Sequence, residues 1–90
     1  MGLRTWFLEQ KLGRVEAKLK RLHFRQRKLR DELADLDARR KRGMAEAEYR
    51  SRHDALDAKK REVTERVNAL SAEEAALKAE LKAARAASRS

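Results

Sequence analysis

Leu8, Leu12, Val15, Leu19, Leu22, Gln26, Leu29, Leu33 and Leu36 follow one another at alternating steps of four and three residues, and eight of these nine positions are apolar. That period places them on one narrow stripe of an α-helix, the seam of a coiled coil. With Leu12 as heptad position a and Val15 as d, a second frame begins further on. Its d positions are Tyr49, Leu56, Val63, Leu70, Leu77 and Ala84, and its a positions are His53, Lys60, Val67, Glu74 and Leu81. His53, Lys60 and Glu74 make this the weaker seam.

Between the frames stands RRKRGMAEAEY (39–49). Gly43 suits the left-handed position that ends a helix. Met44 and Tyr49 fall where a hydrophobic staple closes over a helix start, with Glu48 at the third helical position. Ala45 occupies the N-cap, where Ser or Thr would accept a backbone N–H, so the capping box is incomplete. A turn this short makes the two helices antiparallel neighbours. The pattern therefore predicts an all-α, antiparallel two-helix coiled-coil hairpin, with helices over about 4–42 and 46–86 and a turn at 43–45. Residues 1–90 form a single domain in this reading, with 87–90 frayed.

An antiparallel pair joins a layers to d layers, and a turn centred on Met44 and Ala45 matches residues whose numbers sum to 89. Apolar layers follow: Leu8 with Leu81, Leu12 with Leu77, Leu19 with Leu70, Leu22 with Val67, and Leu33 with Leu56. The flanking positions are expected to form six cross-helix ion pairs: Glu9–Lys78, Lys11–Glu80, Lys18–Glu73, Arg30–Asp57, Glu32–Lys59 and Asp37–Arg50. Two like-charged pairs, Arg25–Arg66 and Arg39–Arg52, accompany them. Exposed pairs contribute only ~0.2–1 kcal/mol each, so they select register more than they stabilise.

Composition agrees with long helices: 43% of the residues are charged and there is no proline. Disorder is the competing reading of so much charge, but it predicts no sustained apolar period. The absence of cysteine excludes disulfides and thiolate metal sites. No uninterrupted apolar run exceeds three residues, as in Trp6-Phe7-Leu8, so neither a membrane span nor a secretory signal is expected and the cytoplasm is the default location. His23 and His53 fall far apart along the hairpin, and no Ser or Thr lies beside a base. A two-helix hairpin also offers no pocket to shield a reaction. The chain is expected to be non-enzymatic, without metal or cofactor.

Charge changes the picture most. Residues 1–45 carry 14 Lys or Arg against 6 Asp or Glu, net +8, whereas residues 46–90 carry 10 against 9, net +1. Lys11, Arg14, Lys18, Arg21, Arg25 and Lys28 step by three and four along one side of the first helix, and Lys20 and Arg27 widen the band. The band spans ~26 Å at the helical rise. Like charges at that spacing destabilise a helix, which favours a use for them. Lys11 and Lys18 are expected to be occupied by Glu80 and Glu73. The open candidates for a phosphate backbone are then Arg14, Lys20, Arg21, Arg25, Arg27 and Lys28, with Arg39, Arg40, Lys41 and Arg42 as a second cluster at the tip. The first expectation is DNA or RNA binding largely without sequence specificity, in a nucleoid-associated or RNA-associated architectural role.

Two alternatives remain. One is a protein-interaction scaffold whose basic face is only solvated. The other is adsorption to a membrane surface through Leu3, Trp6, Phe7 and the neighbouring cations. Leu3, Trp6 and Phe7 lie off the seam at the open end, and Ala76, Ala79 and Ala83 belong to an outer alanine stripe on the second helix. Both features suit a homodimer that builds a larger helical bundle, although alanine is also the best helix former and a neutral surface filler. Gly13 sits mid-helix on the outer face, where it admits a partner, marks a bend, or has no role.

The stretch LDARRKRGMAEAEYRSRHDAL (36–56) resembles the short C-terminal (SHOCT) domain pattern in Leu36, Gly43, Met44, Glu48, Tyr49 and Leu56. Ala45 departs from the Ser or Thr of that pattern. The resemblance implies a helix–turn–helix interaction element and no activity.

Overall fold

The computed structural model describes residues 2–89. Helix α1 spans Leu3–Lys41 and helix α2 spans Glu46–Arg89, packed side by side as an antiparallel hairpin. The Cα trace measures 68 × 15 × 14 Å. A straight helix of 44 residues, the length of α2, is about 66 Å long at 1.5 Å per residue, so the molecule is one helix length from end to end.

The seam forms as the heptads require. Leu8, Val15, Leu19, Leu29, Val63, Val67, Leu77 and Leu81 are buried in one cluster, with Leu12, Leu22, Leu56, Leu70 and Ala84 packed against it. Leu36 is buried as well, beside Leu56 near the turn. Thr5, only 7% exposed, extends the seam to the a position one heptad before Leu12 and was not expected. Its hydroxyl hides it from an apolar count, while its β-carbon and methyl group suit a half-apolar layer opposite Ala84. The polar seam positions behave differently from one another. Gln26 turns to its own helix, where its Oε1 lies 3.1 Å from His23 Nδ1. Lys60 stays exposed, and Glu74 is half-buried with Lys78 Nζ at 3.8 Å.

At the turn, the Arg42 N–H donates to the Ala38 and Arg39 carbonyls at 3.3 and 3.1 Å, and the Gly43 N–H to Arg40 at 3.1 Å. Gly43 then takes φ +116°, a conformation that a Cβ disfavours. A Cβ there would meet nothing within 4 Å, so backbone conformation alone demands glycine. The Ala45 carbonyl accepts the Tyr49 N–H at 3.0 Å, which makes Ala45 the N-cap of α2. Glu48 does not fold back onto the cap but pairs with Arg52 at 2.9 Å. Tyr49 reaches across to α1: its hydroxyl donates to Asp37 Oδ1 at 2.7 Å, and the Arg40 guanidinium lies 4.3 Å from its ring centre. Residues 40 and 49 sum to 89, so this contact carries the expected register.

The six expected cross-helix ion pairs do not close among the described residues. Asp57 instead pairs with Arg61 at 2.6 Å, Lys78 with Glu74 at 3.8 Å, and Arg50 with Glu46 at 3.8 Å. Glu9 does cross the seam, but to Arg85 at 3.0 Å rather than to Lys78. Arg30 leans on its neighbour Asp31 at 3.9 Å, and Asp37 is taken by Tyr49. Lys11, Lys18, Glu32, Lys59, Glu73 and Glu80 have no ion-pair partner. A partner four residues away on the same helix is already within reach, whereas a partner across the seam requires two long side chains to be held extended.

Two boundaries also differ. Helix α2 continues to Arg89, past the expected end at 86, so residues 87–89 are helical and Ser90 lies outside the described residues. Helix α1 runs unbroken through Gly13, where a Cβ would again meet nothing within 4 Å.

Candidate nucleic-acid interface

Five of the ion pairs link residues four apart, Asp35–Arg39, Glu46–Arg50, Glu48–Arg52, Asp57–Arg61 and Glu74–Lys78, and in each the acid precedes the base. That order agrees with the helix dipole and is the more favourable of the two. None of them falls within residues 11–28. There the chain supplies one acid, Glu16, against eight bases, and Glu16 closes no pair with Lys20 although it stands four residues before it.

Arg14, Lys20, Arg21, Arg25, Arg27 and Lys28 are all exposed and have neither an ion pair nor a side-chain hydrogen bond among the described residues. Lys11 and Lys18 share that condition, so the expected neutralisation by Glu80 and Glu73 does not occur. The open band therefore holds eight cations rather than six. Its positions are the b, c and g sites of α1, which run from the edge of the seam at g across the outer face to b, with the f sites between c and b.

Helix α2 adds to the same side. In an antiparallel pair the residues that precede each a position face one another, which brings Lys59 and Arg66 toward Lys18, Arg25 and Glu32. Lys59 lines a shallow groove with Phe24, Arg25, Lys28, Leu29 and Glu32. Neither Lys59 nor Arg66 has an ion-pair partner, and neither was a sequence-based candidate. The signal was present as the like-charged match of Arg25 with Arg66, which puts cations of both helices on one edge of the seam.

The tip cluster divides. Arg39 is held by Asp35 at 3.2 Å, and Arg40 by Glu46 at 3.5 Å and the Tyr49 ring. Lys41 and Arg42 alone of the four candidates have no side-chain partner. Of the like-charged matches, Arg39–Arg52 is relieved because Glu48 takes Arg52, whereas Arg25 and Arg66 stay unneutralised.

The open-end candidates do not assemble into one patch. Trp6 and Phe7 are 53% and 57% exposed and meet edge to face, with ring centres 5.1 Å apart. Leu3 and Trp6 line a shallow groove with Thr5 and Glu9, and none of Ala76, Ala79 or Ala83 takes part in it. Those alanines are exposed on α2.

Phe24 was also missed. It is 64% exposed in the middle of the basic band. The polar partners of His23 and His53 are Gln26 and Asp54 on their own helices, and among the described residues no cluster of His, Asp or Glu could hold a metal ion. No helix among them is long and apolar enough to cross a membrane. No protein-family model matches this chain, and neither a curated protein nor a solved structure matches it.

Proposed function

We propose that the hairpin binds nucleic acid, largely without sequence specificity, through the basic side of α1. The observation that carries this reading is the selective lack of neutralisation. Elsewhere the chain places acids four residues before many of its bases, yet eight cations between Lys11 and Lys28 stand open along about 26 Å of helix. A regular row of cations on a straight rod matches a phosphate backbone, whose condensed counterions are released on binding. Lys59 and Arg66 extend the row onto α2. The band carries no base-reading module, so the contacts position the protein without specifying a sequence, as suits an architectural role on DNA or RNA.

A gel-shift series with DNA, RNA and heparin over increasing salt tests the reading. Arg21→Glu, Arg25→Glu and Lys28→Glu together are expected to abolish binding while circular dichroism shows unchanged helicity. If the unaltered protein binds none of the three at low salt, the band is a solvated face and the hairpin is a protein-interaction scaffold.

Self-association through the open end is a second reading, supported by the Trp6–Phe7 pair, more than half of whose surface is exposed among the described residues. Sedimentation should show a dimer that Trp6→Ala with Phe7→Ala converts to a monomer. A monomer in both cases removes the second copy. Flotation with anionic liposomes that depends on Trp6 would assign the pair to a membrane surface instead.

A further inference from the structure

The seam accounts for nearly every large apolar side chain of α1 between residues 8 and 36, and Phe24 is the exception. It lies off the seam, where it borders the shallow groove that Arg25, Lys28, Leu29 and Glu32 form with Lys59 of α2. Its nearest neighbours on the helix surface, three and four residues away on either side, are Lys20, Arg21, Arg27 and Lys28. All four are exposed and unpaired. No other aromatic ring stacks on Phe24, and no guanidinium or ammonium lies over it, among the described residues. The residue is 64% exposed among these cations. Phe24 fills no hole in the core, and its exposed area is unfavourable in water.

A ligand that suits this arrangement has a flat apolar face with negative charge on both sides of it. A nucleotide within a single strand has that form, since its base is free to stack and its phosphates flank it. In a duplex the base faces are hidden within the stack, so the ring has nothing to cover. We propose that the site takes single-stranded nucleic acid. One base stacks on Phe24, with the adjoining phosphates held by Lys20 and Arg21 on one side and by Arg27 and Lys28 on the other. The two cation pairs are separated by seven residues, ~10 Å along the helix, so each serves a different phosphate. This inference rests on the nucleic-acid reading above and narrows it to an unpaired strand.

The test compares an oligothymidylate with a duplex of equal length by fluorescence anisotropy at one salt concentration. Phe24→Ala is expected to weaken single-strand binding roughly 5- to 150-fold, the range of one base–aromatic stack, and duplex binding less than about twofold. The salt dependence should not change, because the ring carries no charge. Phe24→Trp should retain binding and Phe24→Leu should not, which separates stacking from apolar bulk. Helicity by circular dichroism is expected to be equal throughout.

If Phe24→Ala leaves single-strand binding intact, or weakens both ligands equally, the stacking role is overturned while the nucleic-acid reading stands. If the unaltered protein binds neither ligand, both fall. Single-strand binding that survives in Phe24→Ala, together with lost adsorption to phosphatidylglycerol vesicles, would reassign the ring to a lipid surface.

Discussion

Tyr49 joins the two helices just above the turn, through its bond to Asp37 and its ring beneath Arg40. The hydrogen bond to Asp37 is the largest cause raising the hydroxyl pKa above its ordinary value of about 10. Partial withdrawal from water adds to it, and Arg40 opposes it. A folded pKa above the unfolded one means that the folded state holds the proton more tightly. The contribution to stability is therefore fully present below the unfolded value and is lost as pH rises through the folded one. Because the chain has a single tyrosine, its phenolate absorbance reports this bond alone. The midpoint should lie above that of a free tyrosine, and Asp37→Asn should bring it back down. An unmoved midpoint in Asp37→Asn would show that the bond does not persist in solution. The place of Tyr49 in the first turn of α2 was legible from the turn pattern, whereas its link to Asp37 depends on a rotamer and was not.

Gly13 and Gly43 give the same substitution opposite outcomes at the scale of the helix. Gly13 lies in the interior of α1 with open space where a Cβ would stand, so Gly13→Ala should stabilise the hairpin by about 1 kcal/mol. Gly43 has φ +116°, which an L-residue adopts with strain, so Gly43→Ala should destabilise it by about 1–2 kcal/mol. Thermal unfolding followed by circular dichroism measures both. A destabilised Gly13→Ala would mean that another helix packs closely there. The helices, the turn and the layer order were readable because the apolar period and Gly43 agree with one another. The end of α2 was not, since the apolar seam runs out at Ala84 while alanine-rich sequence of high helix propensity carries the helix on to Arg89.

For the whole molecule, charge is distributed unlike apolar area. The seam runs almost the full length of the rod, whereas eight of the open cations lie between Lys11 and Lys28 of α1. If that band neutralises ~6–8 phosphates, the logarithm of affinity for duplex DNA should fall with the logarithm of salt at a slope of about −5 to −7. A slope near zero with retained binding would mean that the ligand is held by something other than this band. The basic band of residues 11–28 was identifiable from sequence, but which of its charges stay unpaired was not. Lys11 and Lys18 were assigned to partners they do not take, and Lys59 and Arg66 join from the other helix. Phe24 stood in plain view between four bases, yet its exposure matters only because no ring or cation covers it.

The amino-acid sequence by itself determined the two helices, their antiparallel order and the register. Each of these rests on many residues at once, and burying a seam of Leu and Val outweighs any local preference. The tertiary structure alone decided which charges are paired, which stay open, and which residues of α2 stand beside α1. An exposed ion pair contributes a few tenths of a kcal/mol, so its partner is chosen by reach and rotamer rather than by pattern. At the centre of α1 that choice leaves a row of unneutralised cations around an uncovered phenylalanine.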